Sequence, residues 1–247
     1  MVIQVALRNE ANESASVLYD SIIRAYNESI QGYNPALKKY LGRYGQSDGM
    51  LTGSSPLMQV NLQDSGLLPE DARIITRSEL ETAIPRSDQF LRGVYTDFGI
   101  ALLTPGDSYT PNDLPAKILA EQLEHRGINL GKGKLINLVA LSLQEDQNSK
   151  YGAVFRLNDG ANEDNILDVG NFKWHSLRNE GLSCAVFDRS RGWVAYYWNL
   201  GDSGSDGRVV VVSGETTSPK ILDDYLTSFR QERDEEIAER EAGLRVE

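Results

Sequence analysis

The second half of this chain contains five short runs of apolar, β-branched or aromatic residues. They are Leu135–Leu143, Tyr151–Leu157, Leu182–Phe187, Gly192–Leu200 and Arg208–Val212. Each has strand length, and each is bounded by Gly, Asn, Asp or Ser, the residues that make turns. Phe98–Leu103 adds a sixth candidate strand. Runs of this kind, closely spaced and joined by short turns, predict an antiparallel meander. They need helices to cover at least one face.

The helices are expected mainly at the start of the chain. Tyr19, Ile22, Tyr26, Ile30, Tyr33, Leu37 and Tyr40 recur at steps of three and four. That spacing places them on one helical face. Tyr19, Tyr26, Tyr33 and Tyr40 are spaced at intervals of seven. Gly32 and Pro35 interrupt the run, because proline lacks the amide donor and restricts the residue before it. Two helices follow, over about 12–31 and 35–43, joined by a tight corner. Their apolar stripe either packs on the core or forms a partner surface, since tyrosine is enriched at interfaces.

Residues 45–66 are rich in Gly, Ser, Gln and Asp and predict a long loop with one short strand around Leu57–Leu62. Ser78–Ala83 predicts a short helix. Thr110-Pro111-Asn112-Asp113 carries a capping threonine, a proline at the first helical position and an acidic first turn. It opens a helix that runs to about His125 and stops at Gly127. Ser218-Pro219 opens a closing helix with Leu222, Tyr225, Leu226 and Phe229 on one face. The expected fold is therefore α+β: N-terminal helices on a mostly antiparallel twisted sheet built largely from residues 98–212, with a closing C-terminal helix. Residues 1–230 form one domain. Residues 231–247 form a charged tail whose Glu236 to Arg240 and Glu241 to Arg245 spacings support a helix.

The charge pattern narrows the partners. The formal charge is −11, from 25 basic and 36 acidic side chains. Lys132 and Lys134 are too few to make the basic patch that nucleic acid or an anionic membrane requires. A basic protein is the partner that such a surface admits; a homo-oligomer is admitted as well. No apolar run approaches the roughly 18 residues of a membrane span. Cys184 is the single cysteine, so no intrachain disulfide forms. With no signal peptide visible after Met1, the cytoplasm is the expected compartment.

Motifs for chemistry are sparse. Gly201-Asp202-Ser203-Gly204 resembles the nucleophile loop of trypsin-like proteases, which needs a histidine base. His125 falls on a predicted helix, His175 lies too near Ser203 in sequence, and residue 205 is Ser. A turn is the expectation there. The acidic stretches 202–207 and 158–165 lack the EF-hand period. Gly131-Lys132-Gly133-Lys134 lacks the earlier glycine and the later Ser or Thr of a phosphate loop. Cys184 lies in an apolar strand-like run and reads as a small hydrophobe. No catalytic residue, metal or cofactor is expected. Trp174, Trp193, Tyr196, Tyr197 and Trp198 form an aromatic group in which alternation sends Trp193 and Tyr197 one way and Tyr196 and Trp198 the other.

Tyr33-Asn34-Pro35-Ala36-Leu37-Lys38-Lys39-Tyr40-Leu41-Gly42-Arg43-Tyr44-Gly45 resembles the opening of SUKH-superfamily domains, the group of fungal cell-wall regulators and bacterial toxin-immunity proteins. Leu138–Leu143 with Tyr151-Gly152-Ala153-Val154-Phe155 is similar to their central hairpin. Ile221-Leu222-Asp223-Asp224-Tyr225-Leu226 is similar to their closing helix. Asn34-Pro35 stands where the family has Leu-Pro, and Tyr44-Gly45-Gln46 where it has Asn-Gly-Gly. The resemblance implies a noncatalytic α+β domain that binds another protein.

The expected function is accordingly a noncatalytic protein-binding or regulatory module. Its candidate partner surface is Tyr19, Tyr26, Tyr33 and Tyr40 with Trp193, Tyr196, Tyr197 and Trp198. A hydrolase using scattered carboxylates, such as Asp97, Asp107 and Asp113, is the rival. A structural component of an assembly is a third reading. Acidic residues clustered in a pocket with raised pKa values would favour the enzyme. An exposed aromatic patch on a flat sheet would favour binding.

Overall fold

A computed structural model describes residues 2–5, 24–42, 45–47, 50–68, 72–83, 94–103, 113–178, 180–188, 190–196 and 199–213. The first part of the long N-terminal helix, the closing helix and the charged tail expected from the sequence lie outside these residues.

Helix α1 spans residues 24–29 and runs through a 3-10 turn, Ile30–Gly32, into α2, Pro35–Leu41. The corner forms where Gly32 and Pro35 predict it. Asn34 caps α2: its side chain accepts a hydrogen bond from the Leu37 amide at 3.0 Å. The same side chain donates to the Gly152 carbonyl at 2.7 Å and to Glu145 at 2.8 Å. One capping residue thus also ties the helix to a distant hairpin.

The segment expected as a long loop is organised. Strand β1, Val2–Val5, stands at the start of the chain; within the 45–66 segment β2, Gly45–Ser47, and β3, Met50–Thr52, lead to helix α3, Pro56–Asp64. Where a short strand was expected around Leu57–Leu62, the backbone is helical. Ser55 caps α3 through the Met58 amide, and Pro56 occupies the first turn. Every residue from Pro56 to Leu62 is buried. Strand β4, Ala72–Ile74, and helix α4, Arg77–Ala83, follow, the latter close to the expected 78–83.

Strand β5 is Tyr95–Leu102, and α5 is Asp113–His125, ending just before Gly127 as its sequence predicts. The apolar run 135–143 is two strands, not one. Strand β6, Lys134–Asn137, is separated by a 3-10 turn from β7, Leu141–Glu145. The remaining strands are β8, Ala153–Leu157, β9, Ile166–Asp168, β10, Ser176–Leu177, β11, Leu182–Asp188, β12, Gly192–Ala195, and β13, Val210–Ser213.

The fold is α+β, with a main sheet of six strands in the order β10-β12-β11-β5-β6-β9. All its pairings are antiparallel except β10 with β12. This order is not the sequential meander that was expected. Strands β7 and β8 form their own hairpin, and β13 lies between β1 and β4 in a third sheet. Short turns favour sequential pairing only where neighbouring strands bury the same face. Here β13 carries Val210 and Val212 into the core on the far side of the main sheet.

Two apolar clusters cover the main sheet. One gathers Ile100, Leu102, Ile136, Leu182, Cys184 and Val186 against residues of α2, α3, α5 and the β7–β8 hairpin. The other packs Phe98, Ala101, Ala185 and Phe187 against Leu80 of α4 and Val210 and Val212 of β13. Strand alternation explains this split except at one point. Ala185 pairs with Gly99, but Val186 pairs with Asp97, so Phe98 is an extra residue on β5. This β-bulge reverses the parity of the strand. Without it, Asp97 would share a face with Ala101. With it, Asp97 and Tyr95 turn to the face of Cys184 and Val186. Gly99 beside the bulge permits the close approach of β6, since a Cβ there would sit 2.8 Å from the Ile136 carbonyl oxygen.

Among the described residues no helix is long and apolar enough to cross a membrane.

Candidate functional site

The bulge in β5 builds the floor of a pocket of about 530 Å³. Tyr95 and Asp97 of β5 and Cys184, Val186 and Asp188 of β11 lie side by side on it. The loop after β12 closes the other side, with Asn199, Asp202, Ser203 and Asp206 lining the space. Arg191, in the turn between β11 and β12, is the one basic residue among the described residues of this lining. A volume of this size is ordinary for a small-ligand site.

Tyr95 holds the loop in place. Its hydroxyl accepts from the Gly204 amide at 2.8 Å and donates to the Ser54 carbonyl at 3.2 Å. Its own backbone amide donates to the Asp206 carbonyl, and its carbonyl accepts from Arg208. Within the loop, Asn199 donates its side-chain amide to Asp202 at 2.5 Å. The Gly207 amide donates to the Gly204 carbonyl at 3.0 Å, closing a turn. Gly201-Asp202-Ser203-Gly204 is therefore part of a turn-rich rim, as its composition suggests. Neither histidine lines the pocket.

Asp97 is 2% exposed, at the base of this space. Its Oδ2 accepts from the Ser54 hydroxyl at 2.7 Å. Its backbone amide donates to Ser54 Oγ at 2.9 Å, and its carbonyl accepts from Gln59 Nε2 at 2.8 Å. Gln59 Nε2 also donates to Ser54 Oγ at 2.8 Å. Burial pushes the Asp97 carboxyl up to about 7, and the Ser54 hydroxyl opposes that rise by bonding the ionised form. Burial likewise raises the Cys184 thiol, with the neighbouring Asp97 carboxylate adding to the effect. A thiol so disfavoured as thiolate is a poor nucleophile.

The pocket carries negative charge on more than one wall. Asp188 accepts from the Ser190 amide at 2.8 Å and stands 3.9 Å from Arg191 Nε. Asp202 and Asp206 sit on the loop opposite. Among the described residues, no three His, Cys, Asp or Glu side chains are grouped to hold a metal ion. Ser203 Oγ is shielded from solvent and has no hydrogen-bond partner among the described residues.

Among the described residues, those expected to form a partner surface do not come together. Tyr26 and Tyr40 are buried, 1% and 8% exposed, and Tyr33 packs partly against the same cluster. The Tyr26 hydroxyl donates to the Leu41 carbonyl, and the Tyr40 ring meets Tyr151 edge-on at 5.0 Å. Trp193 belongs to the cluster on the other side of the main sheet. Among the described residues of the group, Tyr196 alone is largely exposed, at 51%, with the Arg178 guanidinium 6.0 Å from its ring centre. Tyr19, Tyr197 and Trp198 lie outside the described residues. Of the carboxylates named for a hydrolase, Asp97 is in the pocket, Asp113 begins α5 away from it, and Asp107 lies outside the described residues.

Sequence reasoning missed Ser54, Gln59, Asp188, Asp206 and Arg191 as members of one site. The available signal was the Asp202-Ser203-Gly204 stretch, which does line the pocket. Its partners come from segments far away in sequence, and the bulge that turns Asp97 inward is invisible to strict alternation. Compared with family models, with curated proteins and with solved structures, the chain finds no match.

Proposed function

We propose that this chain is a noncatalytic binding or regulatory module whose recognition element is the pocket over β5 and β11. Its occupant is an organic cation, the ammonium or guanidinium group of a small molecule or of a basic protein partner. The observation that carries this reading is the pocket lining: among the described residues, Asp97, Asp188, Asp202 and Asp206 stand against Arg191 as the single basic side chain. Carboxylates spread over several walls suit a cation with many donors better than a point charge. The formal charge of −11 adds long-range attraction for such an occupant. The SUKH resemblance, which implies a protein-binding domain, points the same way.

Calorimetric titration with agmatine, with free arginine and with a short Arg/Lys-rich peptide tests the proposal. Saturable binding that weakens in Asp202→Asn and in high salt is the expected result. Agmatine binding alone identifies a small-molecule site; peptide binding alone identifies a protein partner. Absence of all three, with a neutral or anionic ligand bound instead, overturns the reading.

A second reading, a hydrolase, has one specific observation in its favour. The Asp97 carboxyl is pushed up to about 7 in a pocket, the range in which a carboxyl serves as general acid or base near neutral pH. Turnover of ester, amide or glycoside substrates that is lost in Asp97→Asn but retained in Asp202→Asn would favour it.

A further inference from the structure

The hydroxyl of Ser54 has one proton to donate and two lone pairs to accept with. Both lone pairs are taken. The Asp97 backbone amide donates to one, at 2.9 Å, and Gln59 Nε2 donates to the other, at 2.8 Å. The orientation of the Gln59 amide is settled by its second bond. The Asp97 carbonyl 2.8 Å from Nε2 can only accept, so the nitrogen and not the oxygen must face it. The Ser54 proton therefore has one remaining place to go, the Asp97 Oδ2 atom 2.7 Å away.

We infer that Ser54 and Gln59 are positioning residues that dictate which oxygen of Asp97 carries its proton. Oδ2 is held as an acceptor in both protonation states, so the proton is gained and lost at Oδ1. A proton on Oδ2 would face the Ser54 proton across a contact of hydrogen-bond length, with no lone pair on Oγ left to receive it. The residues responsible belong to the connection after β3 and to α3, and all three side chains are buried: Ser54 and Gln59 completely, Asp97 to 2% exposure. Nothing in this arrangement can rotate to offer an alternative without breaking a bond to the β5 backbone. The functional consequence rests on the pocket being the site proposed above: an occupant then meets an Asp97 carboxyl with one defined titrating oxygen.

The infrared carbonyl band of neutral Asp97, isolated as a difference against Asp97→Asn in ligand-free protein below neutral pH, reads the proton position directly. In the wild type the C=O group is Cγ–Oδ2, which accepts from Ser54, so the band lies at a hydrogen-bonded frequency. Ser54→Ala shifts the band to higher frequency and raises the Asp97 midpoint by about one pH unit, tenfold in the proton-binding constant. Ser54→Thr restores both. Gln59→Met frees a lone pair on Ser54 Oγ. The neutral acid can then donate from Oδ2, giving a second band of unbonded carbonyl and a raised midpoint. A wild-type band already at the unbonded frequency overturns the inference, and so does a Gln59→Met spectrum and midpoint identical to wild type. Circular dichroism of each variant verifies the fold, and the wild-type band needs no variant of Ser54 or Gln59. Cation binding plays no part in these measurements, so failure of the binding proposal and failure of this inference are separate results.

Discussion

The guanidinium of Arg77 lies 3.6 Å from the centre of the Trp193 ring. Phe172, Trp174 and Phe98 surround the same group at 4.4, 5.1 and 5.7 Å. Arg77 is 1% exposed, and Glu81 one turn later bonds its Nε and one terminal nitrogen. Burial draws the guanidinium pKa down, and Glu81 opposes that shift. The tryptophan expected to face a partner is thus engaged by a cation of its own chain, which fastens α4 to the main sheet.

That arrangement predicts unequal roles for two neighbouring aromatics. Trp193→Ala should lose about 2–4 kcal/mol of stability, from the cavity and from the aromatic face taken off a buried cation. Tyr196→Ala, at an exposed position, should change stability by less than about 0.5 kcal/mol. Urea denaturation of both variants gives the comparison. Equal midpoints for the two would contradict the fastening role of Trp193.

Asp97 makes stability depend on pH in a defined direction. Its carboxyl has an ordinary value of 3.8 and a folded value of about 7. Below the first, folded and unfolded chains are both protonated. Between the two, the folded chain keeps the proton that the unfolded chain has released. The contribution is therefore full at low pH and is lost as pH rises to about 7. Asp97→Asn removes this dependence. Its advantage over wild type should grow from pH 4 to pH 7, then level off at a few kcal/mol, by roughly 1.4 kcal/mol per unit. A stability difference that is the same at pH 4.5 and pH 8 would count against a raised Asp97.

Gly152 has φ +74°, and a Cβ there would meet Asn34 Oδ1 at 2.2 Å and the Leu37 nitrogen at 2.6 Å. Gly152→Ala should destabilise the fold by more than about 2 kcal/mol, through the left-handed backbone and through eviction of the α2 cap. Thermal unfolding of Gly152→Ala beside Asn34→Ala tests it. Coupled, non-additive losses in the double variant are expected, because both changes strike one contact. Additive losses would place the damage elsewhere.

Ser203→Ala should fold as well as wild type, or up to about 1 kcal/mol better, because it removes a shielded hydroxyl that has no partner among the described residues. With no histidine in the pocket, the wild-type serine should not react with a fluorophosphonate probe. A covalent adduct at Ser203, seen by intact-protein mass spectrometry, would show a nucleophile.

The parts of the fold legible in the sequence are those governed by local rules. Asn34-Pro35 opens α2 by capping, and the stop at Gly127 ends α5. Leu182–Phe187 lies within β11. Helix α3 was missed although Ser55-Pro56 carries the same start signal as Asn34-Pro35. Being buried all round, α3 shows no polar stripe, and Gln59, Asn61 and Gln63 gave it the composition of a loop. The pocket was illegible for a different reason. Its carboxylates come from β5, from β11 and from the loop after β12, and one extra residue at Phe98 decides the face on which Asp97 appears. The cage of Arg77 likewise draws its rings from three separate segments, a coincidence in space that spacing along the chain does not encode.

The pairing of β13 between β1 and β4 has a consequence for how the chain is made. Val2 lies opposite Ser213, and Ile74 opposite Val211. During synthesis β1 and β4 both emerge long before the strand that joins them, and among the described residues neither has another partner in that sheet. Their exposed edges wait for it, which is the circumstance in which a nascent chain is open to wrong pairing and to chaperone capture. Closure over so long a span is slow. The sheet that joins the first described strand to the last therefore completes after translation of β13, and a ribosome-bound chain arrested before Val210 should hold its early strands without it.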